Sequence, residues 1–306
     1  MIDYKQLQAL AAVLEEASFE KAAAKLHISQ SAISQRLKQL EEHIGQALVI
    51  RTTPPQATES GQLLLKHYRQ IKLLQSELNQ ALSNKQSSGF TQISIGLNAD
   101  SLNTWFLDAV KDLLIEEKIL VDLKLDDQDQ THHLLRSGQV IGCISASPQA
   151  MQGCNCIPLG VMPYRCLASP AYYQKHFKDG VTAQSLRSAP IAEFSNKDEL
   201  QNRYLEKYFN LGPNDYPKHR IPATDSFFQM VIRGLACGMI PDQQSKELLK
   251  KGEVIDISPG HYLAVPLYWH VWSLKSDLYR KLTNALTLCA TNTLDPFDKH
   301  TAQIDH

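Results

Sequence analysis

Long apolar runs are missing from this 306-residue chain. None approaches the ~20 residues that a membrane-spanning helix needs, and the N-terminus lacks the charged start and apolar core of a secretory signal. Charge of one sign is missing too. Against 31 Lys+Arg stand 32 Asp+Glu, a net charge of −1, so a nucleic-acid partner has to be argued from the placement of charge rather than from its total. Cysteine is present but unpatterned: Cys143, Cys154, Cys156, Cys166, Cys237 and Cys289 fall at irregular intervals, which reads as reduced thiols rather than a disulfide framework. Neither glycine-rich phosphate motif, G-x-G-x-x-G after a strand or G-x-x-x-x-G-K-[ST], occurs. His132-His133 has no second ligand pair at a regular interval, and adjacent helical residues do not share a face. Cys154-x-Cys156 with Cys166 lacks an obvious fourth metal ligand. No nucleophile–base or metal constellation emerges, so the chain is expected not to be an enzyme and to carry no metal or cofactor. A soluble cytoplasmic protein of two or three folded units is the expectation that remains.

What is present begins with short amphipathic helices. Leu7, Leu10, Ala11 and Leu14 recur at helical spacing over Tyr4–Ala17. Ser18 is placed to cap a second helix that buries Phe19, Ala22, Ala23 and Leu26. After His27-Ile28-Ser29, Ser29 or Gln30 opens a third helix with an Ile33, Leu37, Leu40, Ile44 stripe, closed by Gly45. Two short helices joined by a tight turn describe a helix-turn-helix. The outward face of the second carries Gln30, Ser31, Ser34, Gln35 and Lys38, flanked by Arg36, with no carboxylate before Glu41. Such a face suits the major groove, because Gln pairs with adenine edges, Arg with guanine and Ser with either; a solvated polar face is the plainer meaning of the same pattern. Residues 1–60 hold six Lys/Arg and seven Asp/Glu, but the acids gather on the first helix and at the far end of the third. Ala47–Arg51, Thr52–Pro55 and Gln56–Thr58 read as strand, turn and return strand, a wing whose Arg51 is placed to reach phosphate or the minor groove. Thr58 then caps a helix running to about Ser83, where Leu64, Ile71 and Leu78 repeat at seven residues and predict a dimerising seam.

Ser83–Gly89 is a linker by composition. Beyond it strands and helices alternate: strand Thr91–Leu97, helix Ser101–Leu114, strand Val121–Leu125, helix Thr131–Ser137 and strand Val140–Ser145, with more strands at Arg165–Ala168, Ile191–Phe194, Arg220–Ala223, Met239–Ile240 and Leu267–Leu274. The pattern is that of an α/β sheet. Ligands of open α/β sheets bind beyond the carboxyl ends of strands, beside helix N-termini. Asn98, Asp100, Ser101 and Thr104 follow the first strand; Asp126-Asp127 follow the second; Cys143 and Ser145 end the third; Thr224-Asp225-Ser226 open a later helix. Helix ends that catch a carboxylate, next to carboxylates that meet a cation, are what a basic amino acid requires. Ordinary N-caps at Asp100, Ser101 and Asp225, with a solvated turn at Asp126-Asp127, would give the same sequence.

The run Phe19-x-x-Ala22-Ala23-x-x-Leu26-x-x-Ser29-Gln30-Ser31-Ala32-x-Ser34, followed by Leu40-Glu41, Gly45, Leu48, Arg51, Thr58 and Gly61, closely resembles the N-terminal signature of LysR-type transcriptional regulators. Val49 departs from it, standing where that family usually has Phe. The Arg51-Thr52-x-Pro54-Pro55 wing looks like the subgroup that controls lysine and arginine export. Leu135-x-x-Gly138, Ser169-Pro170 and Val231-x-x-Gly234-x-x-x-Gly238-x-x-Pro241 resemble landmarks of the family's effector domain, with Ala236 where many members carry Gly. The resemblance implies a fold, α/β overall, with a winged helix-turn-helix over 1–58, a dimerisation helix and hinge over 59–89, and a two-lobed effector domain like periplasmic binding proteins over 90–306 (lobe 1 about 91–161 plus 267–295, lobe 2 about 162–266). It also implies dimers or tetramers on promoter DNA, contact with RNA polymerase, DNA contacts from Gln30, Ser31, Ser34, Gln35, Arg36, Lys38 and Arg51, and an effector, lysine or arginine, held by Asn98, Asp100, Ser101, Thr104, Asp127, Ser145 and Asp225. Two other readings stay open: a regulator that switches through cysteine oxidation, and an architectural or replication-origin DNA binder that needs no ligand.

Overall fold

Side-chain caps begin the N-terminal helices. The computed structural model describes residues 2–82, 90–125, 131–136, 138–195 and 199–297. Asp3 accepts from the Lys5 amide to open α1 (Tyr4–Glu16), Ser18 accepts from Lys21 to open α2 (Phe19–Lys25), and Ser29 accepts from Ala32 to open α3 (Gln30–Ile44). Each bond satisfies an orphan amide of a first turn. Leu7, Leu10, Leu37, Leu40 and Leu48 pack into one small core with Leu65 and Tyr68, while Ala9, Val13, Ala22 and Ile33 form a second.

The wing is shorter than the sequence suggests, β1 (Val49–Ile50) pairing antiparallel with β2 (Gln56–Ala57). Its root is fixed from two sides. Glu41 accepts from the Leu48 and Val49 amides, and Thr58 donates to the Ala47 carbonyl while accepting from the Gly61 amide. Thr58 thereby opens α4 (Glu59–Leu82). A Cβ at Gly61 would stand 2.1 Å from the Leu48 carbonyl oxygen, so only glycine lets α4 pass this close to the wing.

One seven-stranded sheet runs through the rest of the chain, in the order β10-β6-β11-β5-β3-β4 with β9 also on β6. β3 (Thr91–Leu97) leads into α5 (Ala99–Ser101), a π-helical turn (Leu102–Phe106) and α6 (Leu107–Glu116), then β4 (Ile119–Leu125), α7 (Thr131–Arg136) and β5 (Gly142–Ser145). β3 is parallel to β4 and β5. Two long antiparallel strands, β6 (Cys154–Ala168) and β11 (Tyr262–Trp272), cross between the lobes, their register slipping at Leu267/Tyr268 opposite Gly160 and Pro158. Between them lie α8 (Pro170–His176), α9 (Ala183–Leu186), β7 (Ile191–Glu193), α10 (Leu200–Phe209), β8 (Lys218–Arg220), α11 (Thr224–Ile232), β9 (Gly238–Pro241), α12 (Asp242–Lys251) and β10 (Ile255–Asp256); α13 (Asp277–Thr293) closes the described chain.

Three readings from sequence need correction. β6 begins eleven residues before Arg165, because Pro158, Gly160 and Pro163 break the apolar pattern without breaking the strand. The strand expected at Arg220–Ala223 lies at Lys218–Arg220, since Pro222 has no amide to give to a ladder. The seven-residue seam is split: Leu64 and Ile71 pack on the chain's own winged-helix core, and among the described residues of α4 the exposed large apolar ones are Leu63, Leu74, Leu78 and Leu82. The linker expected at 83–89 and the Asp126-Asp127 turn lie outside the described residues.

Candidate DNA interface and effector cleft

α3 buries Ile33, Leu37 and Leu40 completely, so helical geometry turns Gln30, Ser31, Gln35 and Lys38 to solvent and leaves Ser34 and Arg36 half-buried on the flanks. Ser31 shares a 2.9 Å hydroxyl contact with the cap Ser29, and Lys38 faces Glu42 at 3.7 Å across one turn, both groups well exposed. Such a surface pair is worth well under about 1 kcal/mol and yields easily to a phosphate. Arg51 is exposed just past β1 with its guanidinium 6.0 Å from the Phe19 ring centroid, which ties the wing to α2. The acids that cancel the charge of this domain are engaged elsewhere. Lys25 meets Glu15 at 3.2 Å and Glu16 at 2.8 Å, and Arg69 of α4 meets Glu15 at 3.7 Å. The Lys25 hydrogen bond holds the Glu16 carboxyl below its ordinary value. Glu41 caps the wing strand. The cationic and amide groups of α3 therefore face solvent with few carboxylates beside them, which the total charge conceals.

The carboxyl ends of β3 and β5 lie side by side in register, Gly96 opposite Cys143. They bring Asn98, Ser101 and Ser145 to one edge of the sheet. Asn98 is the N-cap of α5 yet makes no capping bond. It is 4% exposed, and neither its amide nitrogen nor its amide oxygen has a partner. The Ser101 hydroxyl is fully buried and also unpartnered. Ser145 accepts from the Ser147 amide at 3.2 Å. Asp100 accepts from the hydroxyl of Tyr164, on the crossing strand β6, at 2.7 Å. The Thr104 hydroxyl donates at 2.6 Å to the Asp100 carbonyl, which uses its proton on the helix backbone and leaves its oxygen able to accept. Asp225 stands exposed on the first turn of α11, whose cap is Ala223, and Asp127 lies outside the described residues.

Sequence reading missed Glu193. It sits almost fully buried at the end of β7, accepting from Tyr216 at 2.9 Å and from Lys218 at 2.7 Å, with Arg220 at 3.6 Å. A lone acid closing a short apolar run gives no warning of that network. Tyr164 was missed because all of β6 before Arg165 was missed.

Among the described residues, the surroundings of Cys154, Cys156 and Cys166 disfavour the thiolate. Cys154 opens β6 and Cys166 lies near its far end, twelve residues and about 40 Å away, too far to share a metal. Among the described residues no cluster of three His, Cys, Asp or Glu side chains is placed to hold an ion. Cys156 lies 3.7 Å from His270 Nε2, but that nitrogen also meets the Ser147 carbonyl at 2.9 Å. Bonding a carbonyl requires the proton on Nε2, so this nitrogen is not a base for the thiol. Burial pushes the Cys154 and Cys156 thiols up; at Cys166 the Cys237 contact raises the thiol further, burial adding to it.

Known proteins share this architecture. Residues 4–62 match the bacterial regulatory helix-turn-helix protein, lysR family, and residues 91–288 match the LysR substrate binding domain. The HTH-type transcriptional regulator ArgP of Aeromonas salmonicida is 41% identical over 295 residues, 96% of this chain and 99% of the relative. The crystal structure of ArgP from Mycobacterium tuberculosis superposes with a TM-score of 0.88 at 36% identity, covering 97% of this chain and all of that one. Full-length LysG from Corynebacterium glutamicum with bound effector Arg superposes at 0.81, with 33% identity over 96% of this chain and all of that one; another full-length LysG structure superposes at 0.62, covering 97% of this chain and all of that one. No described helix is long and apolar enough to cross a membrane.

Proposed function

This chain belongs to the LysR family of bacterial regulatory helix-turn-helix proteins, and from that premise we propose that it is a cytoplasmic, non-catalytic transcription regulator whose hold on promoter DNA is set by a basic amino acid, lysine or arginine. The division we propose is a DNA-binding unit over 1–58, a dimerisation helix and hinge over 59–89 and an effector domain over 90–306, its lobes hinging where β6 and β11 pass near residues 161 and 267. Gln30, Ser31, Ser34, Gln35 and Arg36 read base edges, and Lys38 and Arg51 anchor phosphates. Two copies pair through the apolar face of α4 formed by Leu63, Leu74, Leu78 and Leu82, and the effector domains join dimers into tetramers. The effector alters the lobe angle, hence the bend in DNA and the contact with RNA polymerase, only as far as it binds one arrangement better than the other.

One observation carries the effector assignment: Asn98 and Ser101 are buried polar side chains with nothing to bond. A buried polar group without a partner costs about 1–3 kcal/mol, so a chain keeps one where something supplies the partner. An amino acid's α-carboxylate and α-ammonium offer the acceptor and donor that an amide and a hydroxyl lack, and the LysG relative holds Arg. Asp100, Thr104, Ser145 and Asp225, with Asp127, complete the proposed site.

The test is calorimetry with L-arginine and L-lysine on the wild type and on Asn98→Ala. The variant is expected to be no less stable than the wild type without ligand, because it removes an unsatisfied group, yet to bind at least about tenfold more weakly. Unchanged affinity removes Asn98 from the site; lost stability makes it a structural residue instead.

A further inference from the structure

Several features of the described residues stand outside the proposed function. A groove of about 410 Å³ between α1, α2 and α4 shows nothing that says what fills it, and exposed Leu120 and Leu125 on β4 show nothing that says what covers them. A third is a set of contacts between α4 and the effector domain of the same chain, and these carry an inference.

Gly138 turns the chain from α7 into β5 with φ +71°, and a Cβ there would stand 2.8 Å from Cβ and 2.9 Å from Cα of Lys66. The backbone of lobe 1 therefore lies directly on α4. Lys66 places its ammonium 6.0 Å from the Trp272 ring centroid at the end of β11, and Leu73, two turns on, packs on the effector-domain core. Between them Arg69 spans three elements: one guanidinium nitrogen donates to the Gly138 carbonyl and another meets Glu15 at the end of α1. Glu15 in turn holds Lys25 of α2. The side chain is about one quarter exposed, and burial pulls its pKa down against the opposing pull of Glu15. A guanidinium with two rigid partners on two domains fixes both in angle as well as distance.

We propose that Arg69 is the positioning residue that couples the lobe-1 turn at Gly138 to the helix-turn-helix: displacing that turn displaces Glu15 and, through Lys25, α2. α7 packs on β3 and β5, the strands whose ends carry Asn98, Ser101 and Ser145, so the coupling starts beside the proposed effector site and rests on that reading only for what moves the turn. The two LysG structures overlay this chain at 0.81 and 0.62 over nearly the same length, so those two structures differ from each other in overall arrangement.

The experiment is hydrogen exchange of the full-length protein, read over α1 and α2. Gly138→Ala does not touch α1, yet it should speed exchange there by about tenfold, the equivalent of one charge-assisted hydrogen bond lost. In an Arg69→Leu background the same substitution should add nothing, because the path is already cut. Arg69→Lys, a shorter point charge, should fall between wild type and Arg69→Leu. Wild-type exchange in α1 of Gly138→Ala, or additive effects of the two changes, overturns the proposal. Should Gly138→Ala not fold, Glu15→Gln replaces it, and the exchange is read at the α7–β5 turn with the same criteria. An L-arginine arm separates the two readings. Binding seen by calorimetry with no change in α1 exchange overturns the coupling, whereas no binding overturns the effector assignment and leaves the ligand-free variants to decide the coupling.

Discussion

At the residue scale the molecule distinguishes polar groups that hold the fold from those that wait. Glu41, Thr58 and Ser29 spend their side chains on backbone amides of the wing and of the helix starts, and replacing one with Ala should cost about 1 kcal/mol of the DNA-binding unit. Asn98 and Ser101 spend theirs on nothing. Cys154, Cys156 and Cys166 have thiols raised by their surroundings. With burial raising Cys156, its alkylation at pH 7 should run more slowly than that of a free cysteine, and peroxide should leave DNA affinity unchanged; fast modification with altered affinity would favour the oxidation-sensing reading. Glu16 gives the pH dependence its sign. Its carboxyl is lowered by Lys25, so the stability it adds is present above its unfolded pKa and is lost as pH falls through the folded one. Glu16→Gln should flatten that part of the acid limb, and an unchanged acid midpoint slope would remove Glu16 from it.

At the element scale the helix-turn-helix was almost entirely legible. Caps at Ser18 and Ser29, the Ile33–Leu37–Leu40 stripe and the closing Gly45 all act locally, so sequence spacing alone placed three helices to within a residue or two. The effector domain was legible where one strand faced one core. It was not legible along β6, whose prolines and glycine are tolerated because β11 holds the strand on the far side of its register slip. The α4 seam was half legible, since spacing shows which residues share a face but not which face the chain covers for itself. From sequence Gly61 is a signature position; in the structure it is the point where α4 crosses the wing. Gly61→Ala should destabilise the DNA-binding unit by about 1–3 kcal/mol through overpacking against a carbonyl that has no room to move, as melting would show; a wild-type midpoint would mean that α4 sits further from Leu48.

For the whole molecule, dimerisation through α4 and DNA reading through α3 should be separable. Leu78→Glu should convert dimers to monomers in sedimentation while leaving the α3 face intact, and persistent dimers would place the interface away from the exposed end of α4. Ser34→Ala with Gln35→Ala should abolish site preference while dimers persist, and unchanged discrimination would clear these two as readers. A basic amino acid supplied at about 100 times its dissociation constant should add roughly 2.7 kcal/mol of stability, visible as a rise in melting temperature. The central claim joins these parts: this chain reads a DNA sequence, and a basic amino acid changes how it does so. The direct test is selection of the full-length protein on random duplex DNA, with and without L-arginine or L-lysine. An enriched motif with half-sites about one helical turn, or a multiple of it, apart, bound differently when one of the amino acids is present, is the predicted result. Enrichment indifferent to both amino acids would contradict the effector half of the claim, and no enrichment at all would contradict the claim itself.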